Sequence, residues 1–216
     1  MIRKTAIMKK RKTRETSNKK AAISWTGAAI ITAAVLLTAA LAVSCTADYS
    51  PKPQGYFRID FPERSYAVYD GQCPYSFSYP SFAVISGDTG RTAQPCWINI
   101  DFPGFGGRLH ISYKKVDGNL AEYAEDSRKL AFKHTVMADA IDERMFVNEK
   151  DRVYGVLYDI KGNSASALQF YLTDSSRHFF RGALYFNVQP NKDSLAPVID
   201  YFREDILYLI ETFAWK

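Results

Sequence analysis

The chain has 216 residues, 47% of them hydrophobic and 14% aromatic, with a formal net charge of +5, a composition that excludes a collagen-like or generally disordered chain. The charge is unevenly spread. Ahead of Cys45 nine basic residues face a single acid, Glu15, whereas from Cys45 onward 19 basic residues face 22 acids, a balance of −3. The basic total therefore offers no case for nucleic-acid binding and marks a targeting segment instead.

Residues 1–20 are polar and strongly basic, and residues 21–44 (AAISWTGAAIITAAVLLTAALAVS) contain no charged residue, histidine or proline. As a helix this run would rise about 36 Å, enough for the roughly 30 Å hydrocarbon core of a bilayer. Basic residues ahead of it predict that its start stays in the cytoplasm and that the chain beyond it is exported. Small residues at Ala42, Val43 and Ser44 before Cys45 resemble a bacterial lipobox, in which the cysteine thiol receives a diacylglycerol and the chain is cut just before it. Residues 1–44 then form a lipoprotein signal peptide and Cys45 is the lipidated first residue of the mature protein. Ala42 departs from the pattern, which usually has leucine there. The alternative is an uncleaved signal anchor with Cys45 an ordinary cysteine. Either way residues 46–216 stand outside the cytoplasmic membrane. Residues 45–55 are polar and proline-punctuated, a short tether, and 56–216 have the size of one domain.

Export permits disulfides. Cys73 and Cys96 each stand beside a proline, and lipidation of Cys45 would leave them as the only pair. A bond between them would contribute on the order of 3 kcal/mol. Two free buried cysteines, or a redox or metal role, are the other readings.

Prolines 62, 74, 80, 95 and 103 cut the first half into short pieces. Between them lie strand patterns at Tyr75–Tyr79, Phe82–Ile85, Trp97–Phe102 and Arg108–Val116. Residues 104, 106 and 107, all glycine, follow a strand without opening a helix, so they predict a tight turn rather than a phosphate loop. From Leu120 to His134 the period becomes helical, with Leu120, Ala124, Ser127 and Ala131 on one stripe, Tyr123 and Leu130 widening it, and Asn119 as N-cap. Four further strands come next, at Glu143–Asn148, Val153–Ile160, Ala165–Leu172 and Phe179–Val188, separated by hairpin-length loops. A second helix spans Leu195–Phe213, with Pro197 tolerable in its first turn. The order predicts an α+β fold: an antiparallel β-sheet packed against two helices that share one face.

Chemistry is sparse. His110, His134 and His178 are scattered, and no HExxH, GxSxG, P-loop or GxGxxG occurs. Asp60 with Glu63, Asp139 with Asp142 and Glu143, and Asp200 with Glu204 are the closest carboxylate sets, each explained by a solvated face. No enzyme, cofactor or metal site is expected. The excess is aromatic, 14 Tyr, 14 Phe and 3 Trp, which serves packing first and partner binding second.

Five segments together resemble gliding-motility lipoproteins of the GldD type from Bacteroidetes-like bacteria: residues 49–62 (YSPKPQGYFRIDFP), 73–80 (CPYSFSYP), 96–100 (CWINI), 110–113 (HISY) and 180–187 (FRGALYFN), the last succeeded by Pro190 and residues 193–197 (DSLAP). The resemblance implies an envelope accessory to gliding and to the associated type IX secretion machinery, working with partner lipoproteins and motor-associated proteins. The element order is also similar to the PsbP/Mog1-like fold, which by itself implies no function. The expected function is thus a lipid-anchored, periplasm-facing interaction protein, with Tyr56, Phe57 and Arg58 beside the tether as the candidate partner contact. An envelope glycan- or lipid-binding module with an aromatic-lined groove is the alternative, and a carboxylate hydrolase a third class. Intact mass of the protein from the membrane fraction checks the anchor. A species beginning at Cys45 with two or three acyl chains is expected, and an unmodified full-length chain would mean a signal anchor.

Overall fold

Side-chain parity decides which way each strand faces. The computed structural model describes residues 27, 29–37, 59–133, 137–187 and 192–216. Cys45, Tyr56, Phe57, Arg58 and His134 lie outside them, as does most of the apolar run at 21–44. The chain divides into two units, Met1–Gly55 and Tyr56–Lys216. In the first, residues 29–37 form helix α1. The second contains, in chain order, β1 (Tyr66–Tyr69), β2 (Tyr75–Pro80), β3 (Val84–Gly87), β4 (Ile98–Phe102), β5 (Gly107–Lys115), α2 (Leu120–Phe132), β6 (Ala138–Asn148), β7 (Val153–Gly162), β8 (Ser166–Thr173), β9 (His178–Phe186), α3 (Lys192–Glu211) and β10 (Ala214–Trp215).

Two antiparallel sheets result. The larger has seven strands in the order β3-β4-β5-β9-β8-β7-β6, and the smaller three in the order β1-β2-β10. In β5 the odd residues Leu109, Ile111 and Tyr113 are buried on the inner face of the large sheet, level with Leu184, Gly182 and Phe180 of β9. That face carries α3 and the small sheet. Phe202 of α3 stands 4.3 Å, ring to ring, from Phe102, and Tyr75 of β2 meets Phe180 edge-on at 4.9 Å. Such pairs add about 0.5–1.5 kcal/mol each beyond the area they bury. A separate apolar cluster forms on the outer face, where Ala131 of α2 packs on Tyr158 and Ile160 of β7.

The fold class is the expected α+β, but the two helices lie on opposite faces of the sheet rather than sharing one. The reason is in β7 and β8. VYGVLYDI and SALQFYLT are apolar at successive positions, as strands buried on both sides are, so each face needs its own cover. Other departures are local. β1 and β10, of four and two residues, are too short to show a period. The strand expected from Glu143 begins at Ala138, in an exposed stretch with little apolar alternation. Helix α3 begins at Lys192, so Pro197 sits in its second turn. Asn119 is the N-cap residue of α2, yet its side chain accepts from the Asp117 N–H and not from the helix.

Cys73 and Cys96 are disulfide-bonded, with their Cα atoms 5.5 Å apart. The bond joins the β1–β2 turn to the residues entering β4, and hence the small sheet to the edge of the large one. The Tyr75 hydroxyl, donating to the Cys96 carbonyl at 2.8 Å, reinforces the same junction.

Gly182 is required by packing. Opposite it in the β8–β9 ladder the Phe170 ring lies across the strand, and a Cβ at residue 182 would fall 2.4 Å from two ring atoms. Phe170 is 1% exposed and has no free space to enter. Gly182→Ala is therefore expected to lower unfolding stability by about 1–3 kcal/mol, read as a reduced denaturant midpoint. A midpoint equal to wild type would show that the ring yields freely.

Candidate functional site

Helix α2 has 13 residues and is about 20 Å long, whereas seven strands span about 29 Å across the sheet. The helix lies against β8 and β9 and leaves the outer face of β3–β5 partly uncovered. Strand register sets what is found there. Asn99 of β4 lies opposite His110 of β5, Ser112 of β5 opposite Arg181 of β9, and Lys114 opposite Phe179. These side chains line a cleft of about 360 Å³, with Trp97 as one wall and Asp88, Asp126 and Leu130 at its margin.

Arg181 is partly buried in this cleft, and burial lowers the pKa of its guanidinium. It donates one hydrogen bond, at 2.6 Å, to Oε1 of Gln169, which is 1% exposed. The Gln169 Nε2 has no partner among the described residues. His110 meets the Tyr185 ring edge-on at 5.7 Å, and burial, with Arg108 nearby, lowers its pKa. Lys114 places its ammonium 4.4 Å above the centre of the Tyr123 ring. The Trp97 indole N–H is used by the Tyr113 carbonyl at 2.8 Å, which fixes the ring. The cleft thus combines a fork-shaped cation, an amide, a hydroxyl, an imidazole and flat aromatic walls.

Of the histidines and carboxylates weighed from sequence for chemistry, His110 alone among the described residues lines this cleft. His178, one residue ahead of the strand expected from Phe179, opens β9; its Nδ1 pairs with the Tyr113 hydroxyl at 2.7 Å and its ring stacks on Trp215, a packing role. Members of two of the three carboxylate sets are held in ion pairs: Asp142 with Lys161, Asp200 with Arg203, Glu204 with Arg64. Among the described residues no group of His, Cys, Asp and Glu could hold a metal ion. The glycines at 104 and 106 adopt positive φ in the β4–β5 turn, as a tight turn requires. Sequence reasoning quotes Arg181 within FRGALYFN but assigns it no role; its chemical signal is a cation inside the apolar strand HFFRGALYF.

Two further features bear on function. Edge strand β6 exposes Met145 and Val147 to 81% and 69%. The segment entering β1 is strapped to α3. The Tyr201 hydroxyl donates to the Pro62 carbonyl at 3.0 Å, Phe61 stacks on Tyr201 at 4.5 Å, and Arg64 pairs with Glu204. Beneath this strap Asp205, 2% exposed, accepts from the Tyr66 hydroxyl at 2.9 Å. Burial raises the Asp205 pKa, and burial together with Asp205 pushes the Tyr66 hydroxyl up to about 12.

Asp174 behaves in the opposite way. Burial works against its charge, but the N–H groups of Arg177, His178 and Ser176 outweigh it and hold the carboxyl far below the usual range. A depressed carboxyl stabilises the fold above its unfolded pKa near 4, and that contribution is lost as the pH falls below it. Asp174→Asn is expected to cost about 2 kcal/mol at pH 7 and to flatten the acid limb of stability between about pH 4 and 2. An unchanged acid limb in the variant would assign that loss to other groups.

Among the described residues no helix is long and apolar enough to cross a membrane. Residues 46–215 match the family model described as gliding motility lipoprotein GldD. No curated protein sequence matches the chain. Among solved structures the chain is similar to the solution structure of cyanobacterial PsbP (CyanoP) from Synechocystis sp. PCC 6803, at 14% identity over 71% of this chain and 94% of that one, with a TM-score of 0.43.

Proposed function

The chain belongs to the gliding motility lipoprotein GldD family, and we propose on that footing that it is a lipid-anchored accessory of the cell envelope. In this reading it is needed for gliding and for the associated type IX secretion machinery, faces the periplasm, and acts by protein–protein contact rather than catalysis. The observation that carries the proposal is the extent of the family match, which begins at residue 46, directly after Cys45, and runs to residue 215. Cys45 is then the acylated residue, residues 1–44 the signal peptide, 45–55 the tether and 56–216 the working domain. Two acyl chains or more on one cysteine anchor firmly, where one would bind only marginally.

One observation supports partner contact. Met145 and Val147 offer apolar area on an edge strand, whose outer backbone groups can also pair with an extended segment of an envelope protein. Tyr56, Phe57 and Arg58, beside the tether in sequence, are the second proposed contact.

A clean deletion in the host tests the function. Gliding is expected to stop, to return with the wild-type gene, and to stay absent with Cys45→Ala; normal gliding in the deletion would sink the functional reading, and rescue by Cys45→Ala would sink the anchor. For the contacts, Met145→Glu with Val147→Glu, and Tyr56→Ala with Phe57→Ala and Arg58→Ala, are each expected to reduce co-purified envelope partners at unchanged thermal stability. A set that leaves recovery unchanged is rejected as a contact.

A further inference from the structure

The unsatisfied groups of the α2 cleft point to a ligand. A guanidinium carries five N–H donors, and among the described residues Arg181 uses one, toward the neutral amide oxygen of Gln169. Arg64, Arg108, Arg128 and Arg203 each pair with a carboxylate, whereas Arg181 has no carboxylate partner among the described residues. Removing a cation from water without a counter-charge is costly, and the cost is recovered when an anion completes the site. The Arg181 fork also matches a planar two-oxygen acceptor better than a point charge would.

Charge balance narrows the ligand further. Arg181 and Lys114 are offset in the cleft lining by Asp88 and Asp126, while His110 is biased toward its neutral form. A dianion such as phosphate would meet no net positive charge. A monoanion that also carries hydrogen-bond donors would place its charge at the fork and its donors at the two aspartates. The partly exposed Trp97 ring suits an apolar or ring face, and about 360 Å³ admits one small molecule.

We propose that this cleft binds a small carboxylate that also bears hydrogen-bond donors. Arg181 takes the carboxylate, Asn99 and Ser112 bind beside it, and Asp88 and Asp126 accept from the hydroxyls of a sugar acid or the ammonium of an amino acid. Gln169 acts as a positioning residue that holds the guanidinium from below. The assignment is independent of the partner contacts at β6 and beside the tether, and it stands or falls without them.

The test is saturation-transfer NMR on the full chain in a non-ionic detergent, with D-glucuronate, alanine and glucose as probes and inorganic phosphate as competitor. Glucuronate or alanine is expected to saturate with a Kd of about 1 mM or tighter, glucose to give no saturable signal, and whichever carboxylate binds identifies the source. Arg181→Gln is expected to weaken binding at least about tenfold. Ser112→Leu narrows the cleft with the cation kept and is expected to weaken it comparably, which covers the case in which the arginine variant does not fold. Saturation by neither carboxylate, equal saturation by glucose, displacement by phosphate at lower concentration than the carboxylate needs, or binding unchanged in the folded variants would each overturn the assignment.

Discussion

The large sheet has to be covered on both faces, and the chain supplies unequal covers. On the inner face, α3 with its 20 residues and the three-stranded sheet together span the strands, and the interface between them is filled by rings. On the outer face the cover among the described residues is one helix of 13 residues. Where α2 reaches, β7 and β8 carry Tyr158, Ile160 and Tyr171; where it does not, β4 and β5 carry Asn99, His110 and Ser112. The change from apolar to polar across one face is the sheet's answer to incomplete cover, since an uncovered apolar strip of that width would invite association. Arg181 stands at the boundary, partly buried in the cleft lining and hydrogen-bonded to Gln169.

The inner face is held by attachments of different kinds. Ring packing among Tyr75, Phe180 and Phe213 is non-directional in the main and tolerates adjustment. The Cys73–Cys96 bond and the Tyr75 hydroxyl fix the angle at which the small sheet meets the large one. The strap over α3 adds a polar clasp, in which Arg64 faces Glu204 and Asp205 and lies 4.8 Å from the centre of the Tyr201 ring. Asp205 gives this clasp a cost. One of its oxygens has no partner and its charge is poorly solvated, so the pairing with Tyr66 and Arg64 offsets a burial penalty rather than adding a full ion pair's worth of stability.

Much of the fold is legible in the sequence because long elements announce their period. β5, α2, β7, β8 and α3 carry enough residues for alternation or a helical stripe to emerge, and the short loops between β6 and β9 imply antiparallel pairing. The side on which each helix packs is less legible, because it depends on reading apolar residues at successive positions of β7 and β8 as two faces rather than as noise. β1 and β10 cannot be seen, since four and two residues show no period and their pairing is set by distant β2. The cleft is harder still. Asn99, Ser112, Lys114 and Arg181 are unremarkable in their own strands, and only the β4-β5-β9 register makes them neighbours. Strand parity alone points His110 away from Leu109 and Ile111, which is its position in the cleft, but one imidazole does not reveal the arginine on the neighbouring strand.

The Cys73–Cys96 bond has a mechanical consequence. Tension drawn along the segment ahead of β1 passes first through the strap on α3, where Phe61 and Arg64 resist it, and then into the four-residue ladder of β1 on β2. If those contacts gave way, the peeled length would reach Cys73, where a covalent bridge offers a second route to Cys96. The chain between the two cysteines, which includes β2 and β3, would then be spared part of the pull and could keep its pairing while residues ahead of it were drawn out. The bond works as a stop that limits extension, sharing load with β4 near the edge of the large sheet.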